Sequence, residues 1–246
     1  MKILDSLIDS LAGKDCQVQE VRCCAFWTAV TTRHTGLSTT YRPLEGEEDA
    51  HQSGVRDVGR LTEKRALELV ELARSENTLE ASIGMATINS LLDVDEERCV
   101  DLNAYDVLAE KGRNLNIGVV GHFPFVPKLR KTAKNLWVIE KRVRPGDLPE
   151  SEASRILPRC DAVCLTGTSF INHTIENLLA LCRGSFVVLT GPTSPLTPLL
   201  FEYGIDVICG TRVVDPPEVM RYISEAATFR QLHGHGVRLL TLTREV

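Results

Sequence analysis

The chain has 246 residues, 43% of them hydrophobic and 25% charged, with a formal net charge of -5. This is the composition of a folded globular protein that can bury a substantial core, and its acidity argues against a nucleic-acid binder, which needs a clustered basic surface. No apolar run approaches the roughly 20 residues that cross a bilayer, and the opening MKILDSLIDSLAGKD carries acids inside its apolar stretch, unlike a signal peptide, so a cytoplasmic protein without a membrane partner is expected.

The first part, residues 1–112, reads as an α+β domain. Ile3, Leu4, Leu7, Ile8 and Leu11 recur at helical spacing and predict an amphipathic opening helix. Cys16–Cys24, Phe26–Arg33 and Leu37–Tyr41 are β-rich and predict an antiparallel meander. A polar, acidic loop, RPLEGEEDAHQSG, follows. A helix is then predicted from an N-cap at Thr62, with Ala66, Leu69, Val70 and Ala73 on one face. A second, from Thr78 to Leu92, has an apolar stripe interrupted by Gly84 and Asn89.

From residue 113 to 246 the pattern changes to alternating strands and helices, which implies a parallel sheet covered on both faces. Strands are predicted at Ile117–Val120, Leu136–Ile139, Ala162–Leu165, Phe186–Thr190 and Asp206–Ile208. Helices are predicted at Val126–Ala133, Glu150–Leu157, Thr174–Cys182, Pro198–Tyr203 and Pro217–Ala227. The chain is therefore expected to join an α+β half to an α/β half.

In open α/β sheets ligands bind beyond the carboxyl ends of the strands, where strand order reverses. That rule selects the turn GHFPF (Gly121–Phe125), Glu140 at the end of the second strand, TGTSFINHT and TGPTSPLTP. Glu140 stands 22 residues after Gly118, where a dinucleotide fold often carries an acid for ribose hydroxyls. The glycine fingerprint itself is missing, because His122, Phe123 and Pro124 follow Gly121 and Pro124 has no N–H to offer a phosphate. A conventional NAD site is not expected.

Gly167, Thr168 and Ser169 precede a helix, and Asn172 or Thr174 can cap it, with Asn172 also able to face a pocket. The next loop repeats the design, with Gly191, Thr193 and Ser194 ahead of Thr197 and Pro198. His122 and His173 lie on two loops at the same sheet edge and are expected to converge as a transition-metal pair or as an acid and a base. His233 and His235 would share a side if HGHG is extended. The eight cysteines form no Cys-x2-Cys pair and read as reduced, mostly buried thiols.

As a set and in this order, GMATINSLL, GHFPF, TGTSFINHTIENLL and TGPTSPLTPLLFEYGIDVICG resemble the DUF364 family, for which a role in heavy-metal chelation has been proposed. The resemblance implies an enolase N-terminal-like domain joined to a Rossmann-like domain, with a site in the cleft between them. Carried over, the pocket residues are Asn89, His122, Phe123, Thr168, Ser169, Asn172, Gly191, Pro192, Thr193 and Pro195.

The leading expectation is a small anionic or metal-chelating ligand in that cleft. Thr168, Ser169 and Thr193 would hold its anionic part, His122 or His173 would contact a metal or move a proton, and Phe123 and Pro195 would wall the cavity. An alternative is a transferase-like enzyme with a nucleotide-type cofactor at Glu140 and the Gly121–Phe125 turn. A non-catalytic binding or oligomerisation module is the third, and a homodimer is the commonest oligomer to expect.

Overall fold

The computed structural model describes residues 1–42, 54–100 and 102–244, so the acidic loop expected at 42–54 lies almost wholly outside the described residues. Helix α1 (Lys2–Asp9) buries Ile3, Leu4, Leu7 and Ile8, as their spacing requires. Strands β1 (Glu20–Cys23), β2 (Trp27–Thr31) and β3 (Thr35–Thr39) form the predicted antiparallel meander, in register through Val21 with Val30 and Ala29 with Leu37.

The next helix starts later than its sequence suggested. Leu61–Glu63 is a separate 3-10 turn, the backbone is extended at Lys64 and Arg65, and α2 (Ala66–Val70) begins where Glu68 accepts the Arg65 N–H at 2.8 Å. The predicted face, Ala66, Leu69, Val70 and Ala73, is buried. Helix α3 (Thr78–Leu91) is capped by Asn77, whose Oδ1 accepts from the Leu79 and Glu80 N–H groups, and it is buried on nearly every side.

Strand β4 (Cys99–Val100) and helix α4 (Ala104–Lys111) precede β5 (Asn116–Val120), α5 (Val126–Leu129), β6 (Asn135–Glu140) and β7 (Leu148–Pro149). Then come α6 (Ala153–Ile156), β8 (Ala162–Thr166), α7 (Ile175–Leu181), β9 (Phe186–Thr190), β10 (Val207–Val213), α8 (Pro216–Ser224), α9 (Phe229–Leu232) and β11 (Val237–Thr243). They build an eight-stranded sheet of order β4-β11-β10-β9-β8-β5-β6-β7. Strands β5 to β10 pair in parallel, and counted from β5 their order is 3-2-1-4-5-6, that of doubly wound nucleotide-binding folds. The sequence pattern missed antiparallel β11 and the two-residue edge strands β4 and β7. Because β4 pairs with β11, the large sheet collects residues from Cys99 onward, ahead of the division drawn at 112/113.

The main core runs without a break from Leu4 and Leu7 of α1 and Met85 and Ile88 of α3 to Ile139, Val163, Leu165 and Leu189 of the sheet. A second cluster covers the opposite sheet face beneath α4 and α5. A third fastens the meander to α8, through Trp27, Ala29 and Leu37 against Val219, Met220 and Ile223. There Trp27 Nε1 donates to the Ala227 carbonyl at 2.8 Å, and Arg22 Nη1 donates to Met220 O and Ser224 Oγ.

Candidate functional site

Strand order reverses between β5 and β8, and the loops leaving these strands open the cleft there. Gly121 turns the chain at a φ of 103° while its N–H stays bonded to the Ile139 carbonyl. A Cβ at Gly121 would lie 3.1 Å from Thr166 Cβ, so the two loops meet closely. In place of a run of glycine amides, Phe123 and Phe125 stack with ring centroids 5.1 Å apart. His122 Nδ1 lies 3.1 Å from Asp147 Oδ2, which also accepts the Arg144 N–H, so a buried carboxylate orients the imidazole.

Beyond β8, Thr166 Oγ1 accepts the Thr168 N–H and shares a 2.9 Å hydrogen bond with Thr168 Oγ1, while Ser169 Oγ donates to the Thr166 carbonyl. Asn172 Oδ1 accepts from both the N–H and the hydroxyl of Thr174, the residue that precedes α7, and Asn172 also lines the cleft; among the described residues no side chain caps the first turn of that helix.

The cleft has two compartments. The smaller, about 450 Å³, lies among the Gly121–Phe123 turn, Glu140, Thr168, Ser169 and Asn172, closed by Thr39 to Arg42 of the meander. Here Glu140 Oε1 accepts the Lys141 N–H at 2.8 Å. The larger, about 680 Å³, extends past Gly167 to Gly191, Pro192 and Thr193 and on to β10 and α9. Thr39, His122, Phe123, Thr166 and Thr168 line both and form the partition. Thr193 Oγ1 accepts the Thr39 N–H at 2.9 Å, tying the loop after β9 to the meander.

Three expected site residues stand elsewhere. His173, in a left-handed conformation at φ 57°, places Nε2 2.9 Å from the Ala73 carbonyl and Nδ1 3.8 Å from Glu76; it lines neither compartment and does not meet His122. Asn89 also lines neither: its Nδ2 is spent on the carbonyls of Leu37, Pro192 and Thr193 at 2.9 to 3.3 Å. Pro195 is buried behind the cleft wall. The HGHG segment is a turn with positive φ at Gly234 and Gly236, so His233 lines the larger compartment while His235 stacks on Tyr222 at 4.5 Å.

Trp27, Thr39, Tyr105, Lys128 and Arg230 also line the cleft, although nothing in the sequence marks them for it. Their positions in local patterns carried no signal, because each reaches the cleft only through tertiary packing. Thr166 and Thr190 did have one: each ends a strand just before a glycine, in a repeated Leu-Thr-Gly.

A resident bare metal ion does not fit the donors present. Among the described residues no group of three or more His, Cys, Asp or Glu side chains is placed to hold one. Four cysteines rather than most are buried. Of these, Cys209 lines the larger compartment, where burial pushes its thiol up to about 11. No described helix is long and apolar enough to cross a membrane.

Family models carrying the description "Putative heavy-metal chelation" match residues 4–92 (DUF4213) and 103–241 (DUF364). The uncharacterized protein MJ0500 of Methanocaldococcus jannaschii is 27% identical over 179 residues, 70% of this chain and 69% of that one. The fold is shared with a crystal structure of a DUF364 protein of unknown function from Desulfitobacterium hafniense, at TM-score 0.84 and 24% identity over 99% of this chain and 98% of that one. A DUF364 protein from Pyrococcus horikoshii is similar at TM-score 0.81 and 18% identity over the same shares. With the DUF364 match covering more than half of its length, in the half that builds the sheet edge and its cleft, the chain belongs to the DUF364 family.

Proposed function

We propose that the chain binds a small organic anion, free or as its metal complex, in the cleft at the β5/β8 switch point. The carrying observation is the kind of donor found there: hydroxyls of Thr39, Thr166 and Thr168 and one carboxylate-oriented imidazole, His122, around an open cavity. Such donors suit oxygen-rich ligands, whereas a bare soft metal asks for thiolates or several imidazoles. The family description points to heavy metals, and a complex whose own chelator fills most of the coordination sphere reconciles that description with these donors. In this reading Thr168 and Ser169 hold the anionic part, and His122 contacts the metal or moves a proton.

The test loads reduced, tag-free protein with Fe(II), Co(II), Ni(II), Cu(II) or Zn(II), each alone and each with citrate, then desalts it and measures metal and citrate together. The expected outcome is retention of the metal with citrate at near one equivalent, lost in His122→Ala and Thr168→Val. Stoichiometric retention of a bare ion that ignores both substitutions would sink the proposal.

A second reading, a transferase-like enzyme with a nucleotide-type cofactor, draws on the 3-2-1-4-5-6 strand order and on Glu140 and Gly121 lining one compartment. Adenine compounds that co-purify with the chain and are lost in Glu140→Ala would favour it. Nucleotide-free protein that binds none would remove it.

A further inference from the structure

We infer that the larger compartment is a site for an aromatic carboxylate, with a flat apolar body inside and its anionic end at the mouth. The inference rests on the cleft being the ligand site and names the chemical class for one half of it. Five of the chain's thirteen Phe, Trp and Tyr residues line this single cavity: Trp27, Tyr105, Phe123, Phe125 and Phe229. They come from the meander, α4, the turn after β5 and α9, so the clustering is a product of the fold and not of one aromatic segment.

The charge of the lining points the same way. The protein is acidic overall, yet the described residues lining this compartment include no Asp or Glu, while Lys128 and Arg230 stand there with exposed side chains. The smaller compartment differs, mixing Glu140 and Glu150 with Arg42, Lys141 and Arg142. Lys128 Nζ sits 5.9 Å from the Tyr105 ring centroid, which places a cation beside an aromatic wall. An aromatic anion satisfies both features: its rings stack on Phe123 and Phe125, and its carboxylate meets the two cations. The 680 Å³ volume suits a small organic molecule, which typically occupies a cavity of about 300–1,000 Å³.

The experiment is calorimetric titration with naphthoate and biphenylcarboxylate and with the corresponding neutral alcohols, on the wild-type chain and on a Lys128→Glu/Arg230→Glu variant. Both positions are exposed, so the variant is expected to keep the wild-type melting temperature. The acids are expected to bind saturably and about ten-fold more tightly than the alcohols, and the charge reversal to abolish that preference while leaving the alcohols unchanged. Phe125→Ala is expected to weaken acids and alcohols alike. No saturable binding of either acid, or acid binding indifferent to the charge reversal, would overturn the inference. Naphthoate carries no metal, so its failure alongside retained metal citrate strikes this inference alone, and the converse result strikes the metal-complex reading alone.

Discussion

Asn89 and Glu80 are two side chains of α3 whose chemistry depends on partners outside that helix. The amide of Asn89 faces three carbonyl oxygens, which fixes its nitrogen toward them, and leaves Oδ1 buried without a partner. Asn89→Ala is expected to cost about 1–2 kcal/mol, while Asn89→Asp, setting a carboxylate against those carbonyls, is expected to cost about 3 kcal/mol or more, both read from urea midpoints. If the two cost the same, the carbonyl cluster is not what Asn89 serves. Glu80, 3% exposed, accepts from the Arg56 guanidinium and N–H and from Ser75 Oγ. Burial pushes its carboxyl up, but the bonds from Arg56 and Ser75 outweigh that and hold it below the ordinary glutamate value. A depressed carboxylate contributes stability above its unfolded pKa, near 4.3, and loses it as pH falls through the lower folded value. Glu80→Gln is therefore expected to lower the melting temperature at neutral pH and to shrink its deficit below about pH 4, measured by melts across that range.

Helix α3 shows how an element carries constraints that look like defects in its pattern. Its apolar stripe is interrupted at Gly84 and Asn89, and each interruption marks a contact. At Gly84 the 3-10 segment Glu71–Arg74 approaches so closely that a Cβ would lie 2.0 Å from the Ala73 nitrogen. At Asn89 the helix meets the loop after β9. In an isolated helix Gly→Ala gains about 1 kcal/mol, but here the backbone must be pushed aside, which costs about 3 kcal/mol. Gly84→Ala is thus expected to lose about 2 kcal/mol in chemical denaturation, and a stabilised variant would show that the two segments are not in contact. The breaks in the stripe were legible in the sequence; what filled them was not.

The whole molecule behaves as one packed unit despite its two sequence grammars. Its main core is continuous from α1 and α3 into the large sheet, and polar ties add to it: the Ile3 N–H donates to Glu176, and Ser6 bonds to Tyr203 at 2.6 Å. A shared core leaves each part with apolar surface it cannot bury alone, which costs about 25 cal/mol for every Å² exposed. Calorimetry is expected to give a single transition with matching calorimetric and van't Hoff enthalpies. Two resolved transitions would mean that the halves fold independently.

The sequence by itself determined most of the local elements and which loops gather at one sheet edge, because burial imposes a period of two on strands and 3.6 on helices, and because small residues and prolines mark the turns. With the rule that ligands bind beyond the strand ends, that pattern singled out the loops of His122, Glu140 and the threonines as candidates, while the cleft between two domains came from the family resemblance. Only the tertiary structure decided the strand order, the seating of the meander over the cleft, and the gathering of Trp27, Tyr105, Phe125 and Phe229 on one wall. It also turned His173 away toward Ala73 and His235 away from His233. Periodicity records that a side chain is buried and on which face, but not against what, and the partners of these residues come from segments as much as 200 positions away, as Trp27 does with Ala227.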